Sequence, residues 1–425
     1  MKDKPLIAFI INKDNHYRHF APIMHAAINR GWHVESWHDR TTYHSISRRA
    51  SNLPRIEAPP LLLRNNITCR EFFKYEELNQ LIYRNEADAV VSIEAPWQSL
   101  NALHDKKKHP LFVLYEPYCL DFSYRLSSFE AVRNVDIFAI RSEYWLEEGL
   151  RFLCYGFDFK DAGEIVNQLR KKSVCIGWPQ LDQKSLIDSI QVKERLKIPK
   201  NQSVVTLLNW VDSSHLGREQ AVFASVNLKN KLLAMYRFKK KFWQDLYLLS
   251  RSNFISVAES VRSFCKKNNA CLIVKSRQRD HIPPQVARLA DKVLYDENYY
   301  PHTTMELMSI SDLCIGSYSF AVTEAAAYGV PFLIHYSADF ANQNTYTEKH
   351  SIILKLREKG NFFNYPGVVF NMDNESMISR LPSMKLGDFR RDSQAQAEFL
   401  SKFIGFADKA NSDTFLDVLL KQLHK

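Results

Sequence analysis

Short apolar runs of aliphatic and β-branched residues recur along this chain, and stretches of helical spacing separate them. "PLIAFII" leads into a polar loop and then "FAPIMHAAINRG", whose Gly31 reads as a helix C-cap. "WHVESW", "DAVVSIE", "LFVLYE", "VDIFAIRS" and "SVCIGW" follow, and this first set ends near Pro179. A second set contains "SVVTLLNW", "ACLIVKS", "KVLYD", "DLCIGS" and "PFLIHY". Short buried strands alternating with helices predict βαβ units and parallel sheets.

The chain has 425 residues, more than one ordinary core holds, and two sets of strands make two domains of about 200 residues each. We read residues 1–185 as a first doubly wound α/β domain, 186–202 as a polar linker and 203–391 as a second such domain. Residues 392–425 read as amphipathic C-terminal helices. Open α/β sheets bind ligands outside the carboxyl ends of their strands. Two such domains facing each other are expected to enclose a cleft. No internal repeat or low-complexity segment interrupts the pattern.

No apolar run reaches the roughly 18 residues that a membrane span needs. "MKDKPLIAFIINKDNHY" has a short apolar run and no small-residue cleavage site, so it reads as a first strand and not a signal peptide. The seven cysteines are scattered and form no CxxC pair, which points to a reducing cytoplasm and away from disulfides or structural zinc. A formal net charge of +10 favours anionic partners without choosing among them. No zinc-finger, RRM or helix-turn-helix cue supports nucleic acid.

The most informative stretch is "DLCIGSYSFAVTEAAAYGVPFLIHY". Its strand should end near Gly316, and a helix should run from about Phe320 to Tyr328, stopped by Gly329 and Pro331. Ser317, Tyr318 and Ser319 then form a turn at a strand's carboxyl end. The first N–H groups of the helix are expected to be open to a phosphate, with Ser319 and Thr323 adding hydroxyls. Glu324, one turn in, is placed to accept from ribose hydroxyls. The alternative is that Ser319 is an N-cap and Glu324 a solvated helix residue.

That stretch resembles the strand–turn–helix of GT-B glycosyltransferases. It is most similar to the CDP-glycerol glycerophosphotransferase group of bacterial wall and capsule enzymes. Tyr318, Ser319, Glu324, Gly329 and Pro331 fall in step with the group's pattern. "YYPHTTMELMSISDL" looks like the segment before that strand, and "IGWPQLD" like the one that closes the first domain. Ser317 stands where the group has Asp, Phe320 replaces its second Ser, and "VKSRQRD" replaces its His-Pro pair. The resemblance implies a GT-B enzyme that needs no metal or cofactor. The departures move the expected donor from CDP-glycerol to a nucleotide sugar, with a glycan or lipid-linked acceptor in bacterial surface polysaccharide synthesis. Glycerol- or ribitol-phosphate transfer and sugar-nucleotide epimerisation are the alternatives on the same scaffold.

Lys275, Arg277 and Arg279 follow a strand and are candidate donor-phosphate ligands; Asn209 and Ser213, with Ser214 and His215, follow another and are candidate contacts to donor or acceptor. An inverting transfer needs a base for the acceptor hydroxyl. Glu94 and Glu116 each end a first-domain strand and precede Pro, and His16 and His19 follow the first strand. Glu94 is the first choice, Glu116 the second and His19 the third. His16 and His19 lack the further ligands of a HExxH-type metal set. "LLAMYRFKKKFWQDLYLL" is an amphipathic helix with a basic edge; it reads either as core-facing or as a contact with the inner membrane face.

Overall fold

The structure is a computed structural model that describes residues 4–41, 56–65, 67–84, 87–93, 110–117, 134–156, 162–209, 253–277, 282–295, 298–336, 355–405 and 410–424. The chain divides into two compact units. Unit 1 runs to Lys184 and is rejoined by Leu400–Lys425; unit 2 spans Ser185–Phe399.

Unit 1 holds a seven-stranded sheet: β1 (Leu6–Ile11), β2 (His33–Asp39), β3 (Thr68–Phe72), β4 (Ala89–Ser92), β5 (Leu111–Glu116), β6 (Ile137–Ile140) and β7 (Ser173–Cys175). All pairings are parallel, in the order β3-β2-β1-β4-β5-β6-β7. Successive side chains point to opposite faces, and both faces of a parallel sheet are covered, so β1, β4, β5 and β6 read as continuous apolar runs. Ala8, Ile10, Trp37, Val90 and Phe112 pack together in one buried cluster. Phe9 meets Phe20 of the helix Tyr17–Asn29 at 5.3 Å, and Phe20 meets Tyr115 at 5.9 Å.

The C-terminal helix Asn411–Leu423 belongs to this unit. Asp182 of "IGWPQLD" accepts from the backbone N–H of Asn411 at 3.0 Å and of Ser412 at 2.6 Å. It thereby caps a helix whose own N-cap residue, Ala410, has no side-chain acceptor. Burial pushes the Asp182 carboxyl up, and these hydrogen bonds oppose that rise only in part. Arg30, just past the helix Tyr17–Asn29, holds the same helix through Asp413 at 2.7 Å and Asp417 at 2.6 Å.

Unit 2 holds a six-stranded sheet: β8 (Ser203–Leu208), β9 (Ala270–Ser276), β10 (Lys292–Tyr295), β11 (Leu313–Gly316), β12 (Phe332–Tyr336) and β13 (Val369–Asp373). Its order is β10-β9-β8-β11-β12-β13, again all parallel. Val205, Leu207, Leu272, Val274, Leu313 and Ile315 form one core with the helix Phe254–Lys267. The intervening residues, among them Thr206, Lys275 and Cys314, therefore lie on the other face.

One device recurs at the amino ends of both sheets. An Asp just before a strand exchanges two hydrogen bonds with the neighbouring strand. Asp88 and Leu6, and Asp136 and Phe112, do so in unit 1; Asp312 and Val204, and Asp291 and Leu272, do so in unit 2. In each pair the aspartate oxygen accepts at 2.8 Å. The amino edges are thus locked by the fold itself.

Candidate functional site

In unit 2 the chain winds from β8 outward to β9 and β10, then returns to place β11 on the other side of β8. The crevice at such a topological switch point, at the carboxyl ends of the two strands, is where open α/β sheets bind ligands. Here it lies between Leu208–Asn209 and Gly316–Ser317. Gly316 brings the backbone close to its neighbours: a Cβ would sit 3.2 Å from Phe332 and 3.3 Å from Leu208, so those side chains would have to give by a few tenths of an ångström.

The helix after this strand runs from Ala321 to Tyr328, close to the expected span. Gly329 ends it at φ +72°, with its N–H on the Ala326 carbonyl and that of Val330 on Ala325. A side chain at Gly329 would also collide with Arg391.

The helix start differs from the expectation. Ser319 Oγ accepts from Ala321 N–H at 3.2 Å, the Ser319 carbonyl from Val322 N–H and the Phe320 carbonyl from Thr323 N–H. The first donors are thus already used, and Ser319 works as a local cap. Phe320 anchors the turn in an aromatic cluster, 5.3 Å from Phe362. Glu324 is not a solvated residue; it is 4% exposed. Thr323 is wholly buried, and its hydroxyl has no hydrogen-bond partner among the described residues.

Lys275 does not follow a strand; it sits inside β9 and is 6% exposed. Burial pushes the Cys314 thiol well up, the Glu324 carboxylate adds to the rise and the Lys275 ammonium opposes it. Both charges therefore act on the same sulfur, from one face of the sheet. Asn209 donates its backbone N–H to the Lys275 carbonyl at 2.7 Å and its side-chain amide to Ser276 Oγ at 3.1 Å. The fold thus gathers Asn209, Lys275, Ser276, Thr323 and Glu324 at or below one sheet edge. Arg277 is partly exposed directly after β9. Ser213, Ser214, His215 and Arg279 lie outside the described residues, as does the amphipathic basic helix.

Ser317, Tyr318 and Ser319 are partly exposed. Tyr318 lies 6.2 Å from the ring of Tyr336, the last residue of β12, at 27°. The guanidinium of Arg357 stands 4.9 Å from the first ring centroid and 5.7 Å from the second. No feature of local sequence singles out Arg357.

Unit 1 repeats the winding, with its switch point between β1 and β4. Asn12, just past β1, donates to Asp39 at 2.7 Å at the end of β2. Glu116 ends β5 and is wholly buried; Arg141, after the neighbouring β6, is equally buried with its guanidinium 4.0 Å from the Trp178 ring centroid. His19 is 1% exposed, its Nε2 accepts from Arg18 at 3.0 Å and its ring lies 6.1 Å from Tyr115. Glu94 lies outside the described residues, one position past Ile93 at the end of β4. Among the described residues no group of three or more His, Cys, Asp or Glu is placed to hold a metal ion. No described helix is long and apolar enough to cross a membrane.

Two α/β units, each with a parallel sheet wound in both directions from its first strand, define a two-domain Rossmann-like fold of the GT-B type. Solved structures of this type align along nearly the whole chain. UDP-GlcNAc 2-epimerase from Methanocaldococcus jannaschii aligns at 10% identity over 98% of this chain and 99% of that one, with a TM-score of 0.55. The wall teichoic acid polymerase TagF aligns at 13% identity over 100% and 90%, with a TM-score of 0.55. UDP-GlcNAc 2-epimerase from Neisseria meningitidis, bound to UDP-GlcNAc, aligns at 11% identity over 98% and 100%, with a TM-score of 0.52. No protein-family model and no curated protein matches the chain. At these identities the likeness is one of fold, the fold that the "GSYSFAVTEAAAYGVP" resemblance implies.

Proposed function

We propose that this protein is an enzyme acting on a nucleotide-activated sugar, and that it transfers the sugar to a glycan or lipid-linked acceptor. The observation that carries the reading is the convergence of Asn209, Lys275, Ser276, Thr323 and Glu324 at the β8–β11 switch point of unit 2. Buried polar side chains are costly unless they serve structure or a ligand, and among the described residues this edge carries no Asp clasp of the kind found at the opposite one. In this reading the nucleotide occupies unit 2, with Glu324 toward the ribose and Lys275 and Arg277 toward the phosphates.

Transfer forms a bond between the acceptor oxygen and the sugar's anomeric carbon. The bond from that carbon to the phosphate oxygen breaks, and its electron pair leaves with the nucleoside diphosphate. A base takes the hydroxyl proton, and we assign that role to Glu94 before Glu116. His19 is a weaker choice, because one ring nitrogen is already engaged by Arg18. The reading includes a cytoplasmic location and peripheral contact with the inner membrane face, and no nucleic acid.

Epimerisation of the nucleotide sugar is the second reading, supported by the alignment with UDP-GlcNAc 2-epimerases. Glycerol- or ribitol-phosphate transfer is a third, supported by the alignment with TagF. A thermal-shift panel with CMP, CDP, UDP and GDP is expected to show stabilisation by one nucleotide. Product analysis with the matching nucleotide sugar then separates the readings: a transferase releases nucleotide in step with a glycosylated acceptor, whereas an epimerase inverts one sugar carbon and needs no acceptor. Stabilisation by RNA or DNA alone would remove all three.

A further inference from the structure

Arg357 is held in an unusual way for a charged residue of unit 2. Arg195 and Arg262 spend their guanidinium groups on carboxylates, Glu306 and Asp291, each at 2.7 Å. Arg357 has no carboxylate within ion-pair distance among the described residues; it stands against the rings of two tyrosines and hydrogen-bonds the hydroxyl of one of them, Tyr318. Both rings and Arg357 are partly exposed. Burial pushes the Tyr318 phenol up to about 12, and Arg357 opposes that rise only in part. Tyr318 is therefore neutral at physiological pH and does not cancel the charge beside it.

A guanidinium set against aromatic rings loses little hydration, and a single bond to the Tyr318 hydroxyl leaves most of its five N–H donors for a ligand. Its rotamers are restricted before any ligand arrives, so less entropy is lost on binding. Those donors match the oxygen spacing of phosphate, which a planar fork grips in bidentate fashion. The placement is also right for a phosphate. Tyr318 lies two residues past the end of β11 and Tyr336 ends β12, which pairs with β11 through Gly316 and Ile334. Arg357 thus stands at the carboxyl edge, beside the switch point, whereas the first turn of the helix Ala321–Tyr328 has its donors engaged.

We infer that Arg357, clamped by Tyr318 and Tyr336, is a further anion-binding group of unit 2, beside Lys275 and Arg277, and grips the phosphate oxygens of the substrate. The identity of that substrate rests on the nucleotide-sugar reading above; the anion site itself does not. Calorimetric titration with inorganic pyrophosphate tests it on wild type, Arg357→Gln, Arg357→Lys and Tyr336→Leu, with thermal midpoints as the folding control. The folded wild type is expected to bind. Arg357→Gln should weaken binding at least about tenfold, as expected when one charge-assisted contact is lost. Arg357→Lys, which keeps the charge and loses the fork, should fall between, as should Tyr336→Leu. Equal binding by wild type and a folded Arg357→Gln, or no binding by wild type, overturns the inference. A parallel titration with nucleoside diphosphates separates the two claims. Pyrophosphate binding that depends on Arg357, with no nucleotide bound, supports the clamp and removes the nucleotide. Nucleotide binding that ignores Arg357 does the reverse.

Discussion

Val204 and Asp312 clasp each other across the amino ends of β8 and β11. Val204 N–H donates to Asp312 Oδ2 and Asp312 N–H donates to the Val204 carbonyl, each at 2.8 Å. These are the two strands whose opposite ends form the candidate site, so the clasp sets the register there. Removing the carboxylate leaves a strand N–H without its acceptor. Asp312→Ala is expected to lower the stability of unit 2 by about 1–3 kcal/mol. Urea unfolding followed by a probe in unit 2 measures it, and an unchanged midpoint would show that the clasp is dispensable.

Ser319 and Glu324 should separate cleanly. Ser319→Ala removes a helix cap, so it is expected to cost about 0.5–2 kcal/mol of stability and to leave nucleotide affinity unchanged. Glu324→Gln should weaken nucleotide binding with little change in melting temperature. Paired calorimetry and thermal melts decide this; the reverse pattern would return Ser319 to the ligand.

Acid should act on unit 2 through His335. Its ring lies 5.8 Å from the ring of Phe254, its Nδ1 is 3.2 Å from Asn374 Oδ1, and burial pulls its pKa from 6.5 to about 4. The neutral ring is the form that fits, so this contribution is complete above about pH 6.5. It is lost as pH falls toward 4, at up to about 1.4 kcal/mol per pH unit for one proton. Melts of wild type and His335→Gln across that range should diverge, wild type falling faster. Parallel curves would exclude His335 as the titrating group.

The proposed transfer assigns its base to a unit 1 carboxylate. Glu94→Gln is expected to lower turnover a hundredfold or more, on the order seen when a general base is lost, with donor affinity nearly unchanged. Steady-state kinetics on Glu94→Gln, Glu116→Gln and His19→Ala assigns the role to the variant that loses turnover. Full activity in all three would mean that the base lies elsewhere.

Much of the fold was legible because buried parallel strands are largely continuous apolar runs, and β1, β4 to β7 and β8 to β12 each carry one; β2 (HVESWHD) was read from its two apolar residues, Val34 and Trp37, and the glycine-capped helix before it. Two strands escaped. β3 (TCREF) and β13 (VFNMD) each lie at one edge of their sheet, partly exposed and carrying several polar residues, so no apolar run marks them. At the site, the strand end at Gly316 and the stop at Gly329 follow from local rules. Burial does not: Lys275 and Glu324 are inside because the sheet and helix around them close, which spacing alone cannot reveal. Arg357 is invisible for a similar reason, since its two tyrosines come from other segments of the chain. The Asp88, Asp136, Asp291 and Asp312 clasps had a usable signal, an Asp just before each run, whose meaning depends on the neighbouring strand.

A crystal structure with the nucleotide that most stabilises the protein tests the central claim most directly. The nucleotide is expected at the carboxyl ends of β8 and β11 in unit 2, its ribose against Glu324 and its phosphates within hydrogen-bond reach of Arg357. A nucleotide seated on unit 1, or at the Asp-locked amino edge of either sheet, would contradict it.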